Sequence, residues 1–175
     1  MQSIVERNLA DPTLPYVFFY GEHQYNGVFS NFYMSNQTKN YGNRTMTFHS
    51  NEQFIMYEKA ILMGDINTAN DIMLSDSPLQ CKLLGRRVSP WDEEVWKDNV
   101  LSICIEGLRA KFAAPDLARA LLQTGNAILA EAAPRDLIWG IGYGSNNPNS
   151  SNYTRWRGTN YLGICLMEVR TELRG

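Results

Sequence analysis

Glu52 and Lys59 are opposite charges within Ser50–Met63, SNEQFIMYEKAILM, whose other residues are largely apolar. Ser50 and Gln53 have the spacing of a capping box, which marks the start of a helix. At about 100° per residue, Glu52 and Lys59 return to within roughly 20° of each other around the axis and about 10 Å along it. Ile55, Met56 and Met63 flank them, while Phe54, Tyr57, Ile61 and Leu62 take up most of the remaining circumference. A helix of that composition is expected to be buried nearly all round. Ionised side chains are seldom buried without a partner or a task. The helix dipole favours a carboxylate at Glu52 in the first turn, whereas an apolar setting lowers the pKa of Lys59 toward a nucleophilic amine. The spacing equally accommodates an ion pair with other partners, or a lysine that snorkels to water.

A second constellation is Glu131–Gly144, EAAPRDLIWGIGYG, where Glu131 and Asp136 precede Trp139 and the alternating Gly140, Gly142 and Gly144. Glycines let backbone amides approach phosphate. No strand–turn–helix unit of the dinucleotide-binding kind frames this run, and a tight structural turn explains it as readily. Asp136 serves as easily for a helix cap or a surface charge as for a catalytic carboxylate. Trp91, Trp96, Trp139 and Trp156 offer flat faces for a purine or for core packing. Arg155 and Arg157 bracket Trp156 just before a helix start at Thr159 and Asn160, an arrangement suited to a pyrophosphate or to a solvated turn. His23 and His49 are the only histidines and lack metal-ligand spacing, so neither a zinc hydrolase nor a Ser-His-Asp enzyme is supported. No metal and no other cofactor is expected.

The elements that must position these groups follow from periodicity. Tyr16–Tyr20 (YVFFY), ended by Gly21, reads as a strand, and Thr45–Phe48 as another. Helical patterns run over 50–63, 65–74, 78–85, 90–112, 116–124 and 159–173, with Ser50, Asp65, Ser89 and Thr159 as N-caps and Gly125 as a stop. On the 90–112 helix, Val95, Val100, Ile103, Cys104 and Leu108 form a core stripe, and Arg109 and Lys111 suit its C-terminal dipole. Asn36–Arg44 (NQTKNYGNR) reads as a variable polar loop in which Arg44 is a phosphate contact or nothing. Ser145–Asn152 (SNNPNSSN) reads as a surface loop that could border a site. The fold expected is α+β, one helix-rich domain with a small β-sheet.

A chain of 175 residues with 44% hydrophobic content can bury one sizeable core. A net charge of −2 does not supply the broad basic surface that grips many phosphates, so a small ligand or one exposed nucleotide fits better. Cys81, Cys104 and Cys165 are odd in number and form no C-x-x-C pair; reduced, buried thiols are expected. No signal-like or membrane-spanning stretch occurs, which points to an intracellular, cytoplasmic protein, or a nuclear one as well in a eukaryote.

Several segments together resemble the NADAR family, which includes the YbiA-like N-glycosidases. They are Phe18-Phe19-Tyr20, Phe29-Ser30-Asn31-Phe32, Ser50-Asn51-Glu52-Gln53 with Lys59-Ala60, Leu84-Gly85-Arg86, Lys111-Phe112, Leu129-Ala130-Glu131, Asp136-Leu137-Ile138-Trp139-Gly140-Ile141-Gly142, and Trp156-Arg157-Gly158-Thr159-Asn160-Tyr161-Leu162-Gly163. The resemblance implies a YbiA-like fold over 16–175 behind an N-terminal lead over 1–15. It also implies hydrolysis of a bond between C1 of a ribose and nitrogen, either in ADP-ribosylated guanine or in phosphoribosyl intermediates of riboflavin synthesis. It places catalysis on Glu52, Lys59 and Asp136. The accompanying substrate-binding set comprises Ser30, Asn31, Phe32, Arg86, Trp91 and Trp96, together with Glu131, Trp139, Gly140, Gly142, Arg157 and Asn160.

Two mechanisms suit these residue types. In one, Glu52 or Asp136 steadies an oxocarbenium-like C1 and activates water while Lys59 orients the substrate or protonates the leaving group. In the other, which the chemistry of a neutral buried amine favours, Lys59 attacks C1 of an opened ribose to give a Schiff base that water releases. The expected partner is the ADP-ribose moiety of a modified guanine nucleotide or nucleic acid, with an ADP-ribosyltransferase as functional counterpart. A non-catalytic ADP-ribose-binding module is the reading from another class; it leaves the retained charges on an apolar helix face without a task.

Overall fold

The computed structural model describes Asp11 and Thr13–Gly175; residues 1–10 and 12 of the N-terminal lead lie outside the described residues. The elements run β1 (Tyr16–Phe19), β2 (Met34–Tyr41), β3 (Arg44–Ser50), α1 (Asn51–Leu62), α2 (Ile66–Leu74), α3 (Pro78–Gly85), α4 (Glu93–Lys111), α5 (Pro115–Gln123), β4 (Ile128–Glu131) and α6 (Tyr161–Glu172). The fold is α+β and helix-rich, and its strands form two two-stranded sheets. The described residues gather into two compact units: Asn31–Ala114, and the residues up to Ser30 together with Pro115–Gly175.

In the Asn31–Ala114 unit, α1 packs against α2, α3, α4 and β3. Ser50 starts α1 by accepting a hydrogen bond from the Gln53 amide at 3.2 Å, and the Gln53 side chain accepts from the His49 amide at 2.8 Å. The reciprocal half of the capping box therefore reaches one residue further back than the motif predicts. Residues 50–55 and Phe48 are buried, and the Phe48 and Phe54 rings meet edge to face at 5.1 Å. Burial all round holds for this first half only, since Ile61 is 38% exposed.

Asn36–Arg44 is not a loop. It is most of β2 and its turn into β3, joined through Gly42 at φ +61° and Asn43. Glycine at the first central position suits a two-residue hairpin, and Arg44 opens β3. The side chain of Gln37 explains why a polar strand holds: it is buried and donates to the Gly107 carbonyl at 2.9 Å and to Asn51 Oδ1 at 3.1 Å. Helix α4 starts at Asp92 rather than Ser89, because Asp92 Oδ1 accepts from the Glu94 and Val95 amides, both at 3.0 Å. Val95 stands 37% exposed, outside the core stripe. Lys111 is 1% exposed, a buried amine rather than a solvated cation at a helix end.

In the other unit, β1 and β4 pair in parallel with Tyr16 opposite Ile128 and Phe19 opposite Glu131. Helix α6 covers β4 through Leu162, Cys165, Leu166 and Val169, one face at helical spacing. Gly163 permits this approach, since a Cβ there would lie 2.1 Å from the Leu129 carbonyl oxygen. The N-cap of α6 is Asn160, not Thr159; it adopts φ +53° and caps with no side-chain bond. Its amide is committed to β4 instead, accepting from the Glu131 N–H at 3.1 Å and donating to the Leu129 carbonyl at 2.9 Å. All three cysteines are buried thiols outside any disulfide. Among the described residues, no helix is long and apolar enough to cross a membrane.

Candidate functional site

Asn31 opens the Asn31–Ala114 unit, and its buried backbone carbonyl accepts the Glu52 N–H at 2.9 Å while its side chain accepts from Asn51 at 2.8 Å. With Gln37 and Gly107 these residues form a hydrogen-bonded network under the first turn of α1. It fixes the backbone that carries Glu52, which is itself 5% exposed. Two turns on, half-buried Lys59 donates from Nζ to the Gly85 carbonyl at 2.7 Å. The same ammonium lies 4.3 Å from the ring centroid of Trp91 and 5.4 Å from that of Trp96. The indoles are 6.1 Å apart and tilted by 52°, so they form two sides of an open aromatic corner around the amine.

Burial pushes the Lys59 pKa below the ordinary lysine value; the Glu52 carboxylate works against that shift and the Arg86 guanidinium adds to it. The sequence pairs Glu52 with Lys59 on one helix and offers Arg86 and the two tryptophans apart from them; the structure brings Arg86, Trp91 and Trp96 to the Lys59 amine. Sequence reasoning missed the Gly85 carbonyl, for which Leu84-Gly85-Arg86 is the only trace. A side chain at Gly85 would place its Cβ 2.1 Å from Met56 Sδ, which explains the glycine there. Phe32 is half-buried beneath the Lys82 ammonium, 5.7 Å from its centroid. His49 and Cys81 stand 3.8 Å apart, but burial lowers the histidine pKa and raises that of the thiol. The pair is held neutral, which is unlike an activated thiolate.

In the unit that contains Pro115–Gly175, Ser30 is buried at the end of the 3₁₀ turn Gly27–Phe29. Asp136 Oδ1 accepts from the Ile138 and Trp139 amides at 3.0 and 2.8 Å, which fixes the turn that presents Trp139. Trp139 meets Tyr161 edge to face at 6.4 Å. Gly140 is wedged against Ala133 and the Glu131 carbonyl, where a Cβ would come within 2.8 and 3.0 Å respectively. Gly142 has φ +74°. Arg157 donates through Nε to the Gly142 carbonyl at 3.0 Å and lies over the Tyr143 ring at 4.5 Å. Arg155 donates to Asn149. The glycines and Arg157 thus serve to close this turn upon itself, whereas Arg155 is engaged by the Ser145–Asn152 run.

The family model described as the NADAR domain matches residues 18–174. An N-glycosidase of Acanthamoeba polyphaga mimivirus is 37% identical over 163 residues, covering 90% of this chain and 95% of that protein. The chloroplastic riboflavin biosynthesis protein PYRR of Zea mays is 33% identical over 110 residues, 60% of this chain but 16% of that protein. The NMR structure of the E. coli protein YbiA superposes with a TM-score of 0.69 at 27% identity, covering 91% of this chain and 85% of that one. That family model runs unbroken through the Lys59 helix and the Asp136 turn, and the chain belongs to the NADAR domain family.

Proposed function

We propose that this protein is an N-glycosidase that hydrolyses the bond between ribose C1 and nitrogen in ADP-ribosylated guanine, releasing ADP-ribose. The observation that carries the reading is Lys59, a partly desolvated amine with a lowered pKa, set on the same helix as buried Glu52 and faced by Trp91 and Trp96. An amine of that kind is a competent nucleophile toward an electrophilic carbon. Ring opening breaks C1–O4, with O4 taking a proton and C1 left doubly bonded to the guanine nitrogen; the Lys59 amine adds to C1, and the guanine nitrogen takes a proton and departs as its bond to C1 breaks, which leaves the Lys59 Schiff base. Water then adds to C1 of the Schiff base and the lysine amine leaves, so the sum is one water consumed per bond cleaved. Glu52 is the carboxylate assigned to move protons in both halves. The near-complete overlap with the mimivirus N-glycosidase supports the activity class. Asp136, bonded to two amides, is assigned to holding the turn that carries Trp139.

A second substrate, the phosphoribosyl intermediate of riboflavin synthesis, is favoured by the similarity to PYRR. Mass-resolved turnover of an oligonucleotide bearing ADP-ribosyl-guanine, in competition with that intermediate, separates the two. Release of ADP-ribose, reduced by a factor on the order of 10²–10⁴ in Lys59→Ala, is expected. Turnover of only the riboflavin intermediate moves the assignment there. Binding of ADP-ribose without turnover of either makes the protein a reader.

A further inference from the structure

The polar run Ser145–Asn152 and the aromatic run that ends at Tyr20 have no part in the chemistry above, yet they meet. A groove of about 480 Å³ lies between them, within the size range of small-molecule sites. Phe18, Tyr20 and Tyr25 line one side, and Asn146, Asn147 and Gln24 bring amide side chains. Among the described residues, none of those that line the groove carries an acid or base that is charged at neutral pH. Tyr20 is 55% exposed and Tyr25 91%, so two aromatic rings face water along one groove.

Both rims are built rather than loose. Asn26, at φ +64°, donates to the Phe18 carbonyl at 2.9 Å and so holds the turn that bears Tyr25. Across the groove, the buried Ser150 hydroxyl bridges the Ser145 and Asn147 carbonyls at 3.0 and 2.7 Å. Trp156 Nε1 donates to the Ser150 carbonyl at 2.7 Å and its ring packs edge-on to Tyr16, which ties the loop back to β1. Ordering of the rims before any ligand arrives removes an entropic cost of binding.

We propose that this groove is a nucleobase site that takes a neutral purine, stacked on the exposed rings of Tyr20 and Tyr25 with its edge toward the amides of Gln24 and Asn146. Aromatic faces stack with any base, and amide side chains offer the donor and acceptor pair that matches an adenine edge. The lack of charge disfavours phosphate or carboxylate as the group held here. Two sources supply such a base: the adenine of an ADP-ribose group, or a base neighbouring the modified guanine in a strand. The link to turnover rests on the N-glycosidase reading; the groove itself does not.

The test titrates the full chain with adenosine, and separately with ribose 5-phosphate, following the tyrosine ring signals by NMR. Saturable shifts at Tyr20 and Tyr25 with adenosine, absent with ribose 5-phosphate, are expected, as is adenosine binding weakened about 10-fold in Tyr25→Ala. Asn146→Ala, which alters only an exposed side chain, provides a second weakened variant. Adenosine that moves neither ring, or that binds both variants like the unaltered chain, overturns the proposal. The KM of Tyr25→Ala then distinguishes the sources. A rise for both ADP-ribosyl-guanosine and the modified oligonucleotide assigns the site to adenine, and a rise for the oligonucleotide alone assigns it to a neighbouring base. A chain that binds adenosine in the groove yet turns over neither substrate refutes the ADP-ribosyl-guanine reading and leaves the base site standing.

Discussion

At the scale of single residues, half-buried Lys59 and buried Lys111 are held away from their ordinary chemistry by the same cause. Lys59 loses hydration, feels Arg86, and is drawn back by Glu52. If its neutral amine attacks C1, kcat rises with pH through the pKa of Lys59, below the range of an ordinary lysine. Arg86 stands exposed at the end of α3, so Arg86→Met removes a repulsion without opening the core. The pKa then rises, and the limb of the pH–rate profile moves to higher pH. An unmoved limb in Arg86→Met means that another group titrates. Lys111 is the second case: desolvation lowers its pKa from 10.5 to about 7, with Tyr33 and Phe112 each 5.3 Å from the ammonium. Between those two pH values the unfolded chain binds the proton and the folded chain does not. Stability from this group therefore rises with pH across that window, by at most about 1.4 kcal/mol per pH unit. Lys111→Met removes that slope. The difference in unfolding free energy between the two proteins, measured by urea denaturation from pH 7 to 10, is expected to drift in favour of the lysine form as pH increases; a pH-independent difference contradicts the assignment.

At the scale of elements, what could be read in advance depended on where each element's reasons lie. Helix α1 was legible because its start is encoded locally: Ser50 and Gln53 satisfy amides within a few residues of themselves. The same holds for α2, where Asp65 caps Thr68 at 3.0 Å. Strand β2 was not legible, because Ser35, Asn36, Gln37, Lys39 and Asn40 are poor strand formers, and what holds them is distant in sequence. Gln37 finds its carbonyl at Gly107, and Lys39 its carboxylates at Glu58 and Glu106, 3.2 and 2.8 Å away. Only the Gly42–Asn43 pair signalled the hairpin. The misplaced cap at Ser89 has a similar origin: Ser-Pro is a good local start signal, but Asp92 three residues later offers a charged acceptor to two amides. Of the candidate site, the residue types were visible in the sequence, whereas the aromatic corner around Lys59 required three separate segments to meet. Gly107 tests how closely α4 must approach α1. A Cβ there would fall 2.1 Å from Asn51 Oδ1 and 2.5 Å from the Phe54 ring. Gly107→Ala is expected to destabilise by about 1–3 kcal/mol from overpacking, visible as a lowered Tm. It is also expected to reduce kcat, because the network it disturbs carries the Glu52 backbone. Ser50→Ala, which costs a cap worth about 1 kcal/mol but leaves Asn51 and Asn31 in place, provides the stability-matched control.

At the scale of the whole molecule, the balance of charge bears on what part of a nucleic acid the protein grips. The net charge is −2, with 16 basic residues against 18 acidic ones. Several of the basic residues are already engaged within the fold: Lys39 with two glutamates, Arg157 with the Gly142 carbonyl, and Arg170 with Thr124 and the Ala127 carbonyl. These three are not available to neutralise a strand. Each phosphate neutralised on single-stranded nucleic acid contributes about −0.7 to the slope of log affinity against log salt concentration. A protein that recognises one modified nucleotide is thus expected to show a slope of about −2 or shallower for a single-stranded oligonucleotide carrying ADP-ribosyl-guanine. The same slope is expected when the substrate is shortened to a few nucleotides, because length adds phosphates that the protein does not hold. A slope near −5 that weakens with shortening would mean that the strand is tracked along its backbone, and the small-ligand view of the fold would fail. The experiment requires only the full chain and catalytically inactive Lys59→Ala to measure binding without turnover. A shallow slope that does not change with length ties recognition to the modification itself rather than to the polymer that bears it.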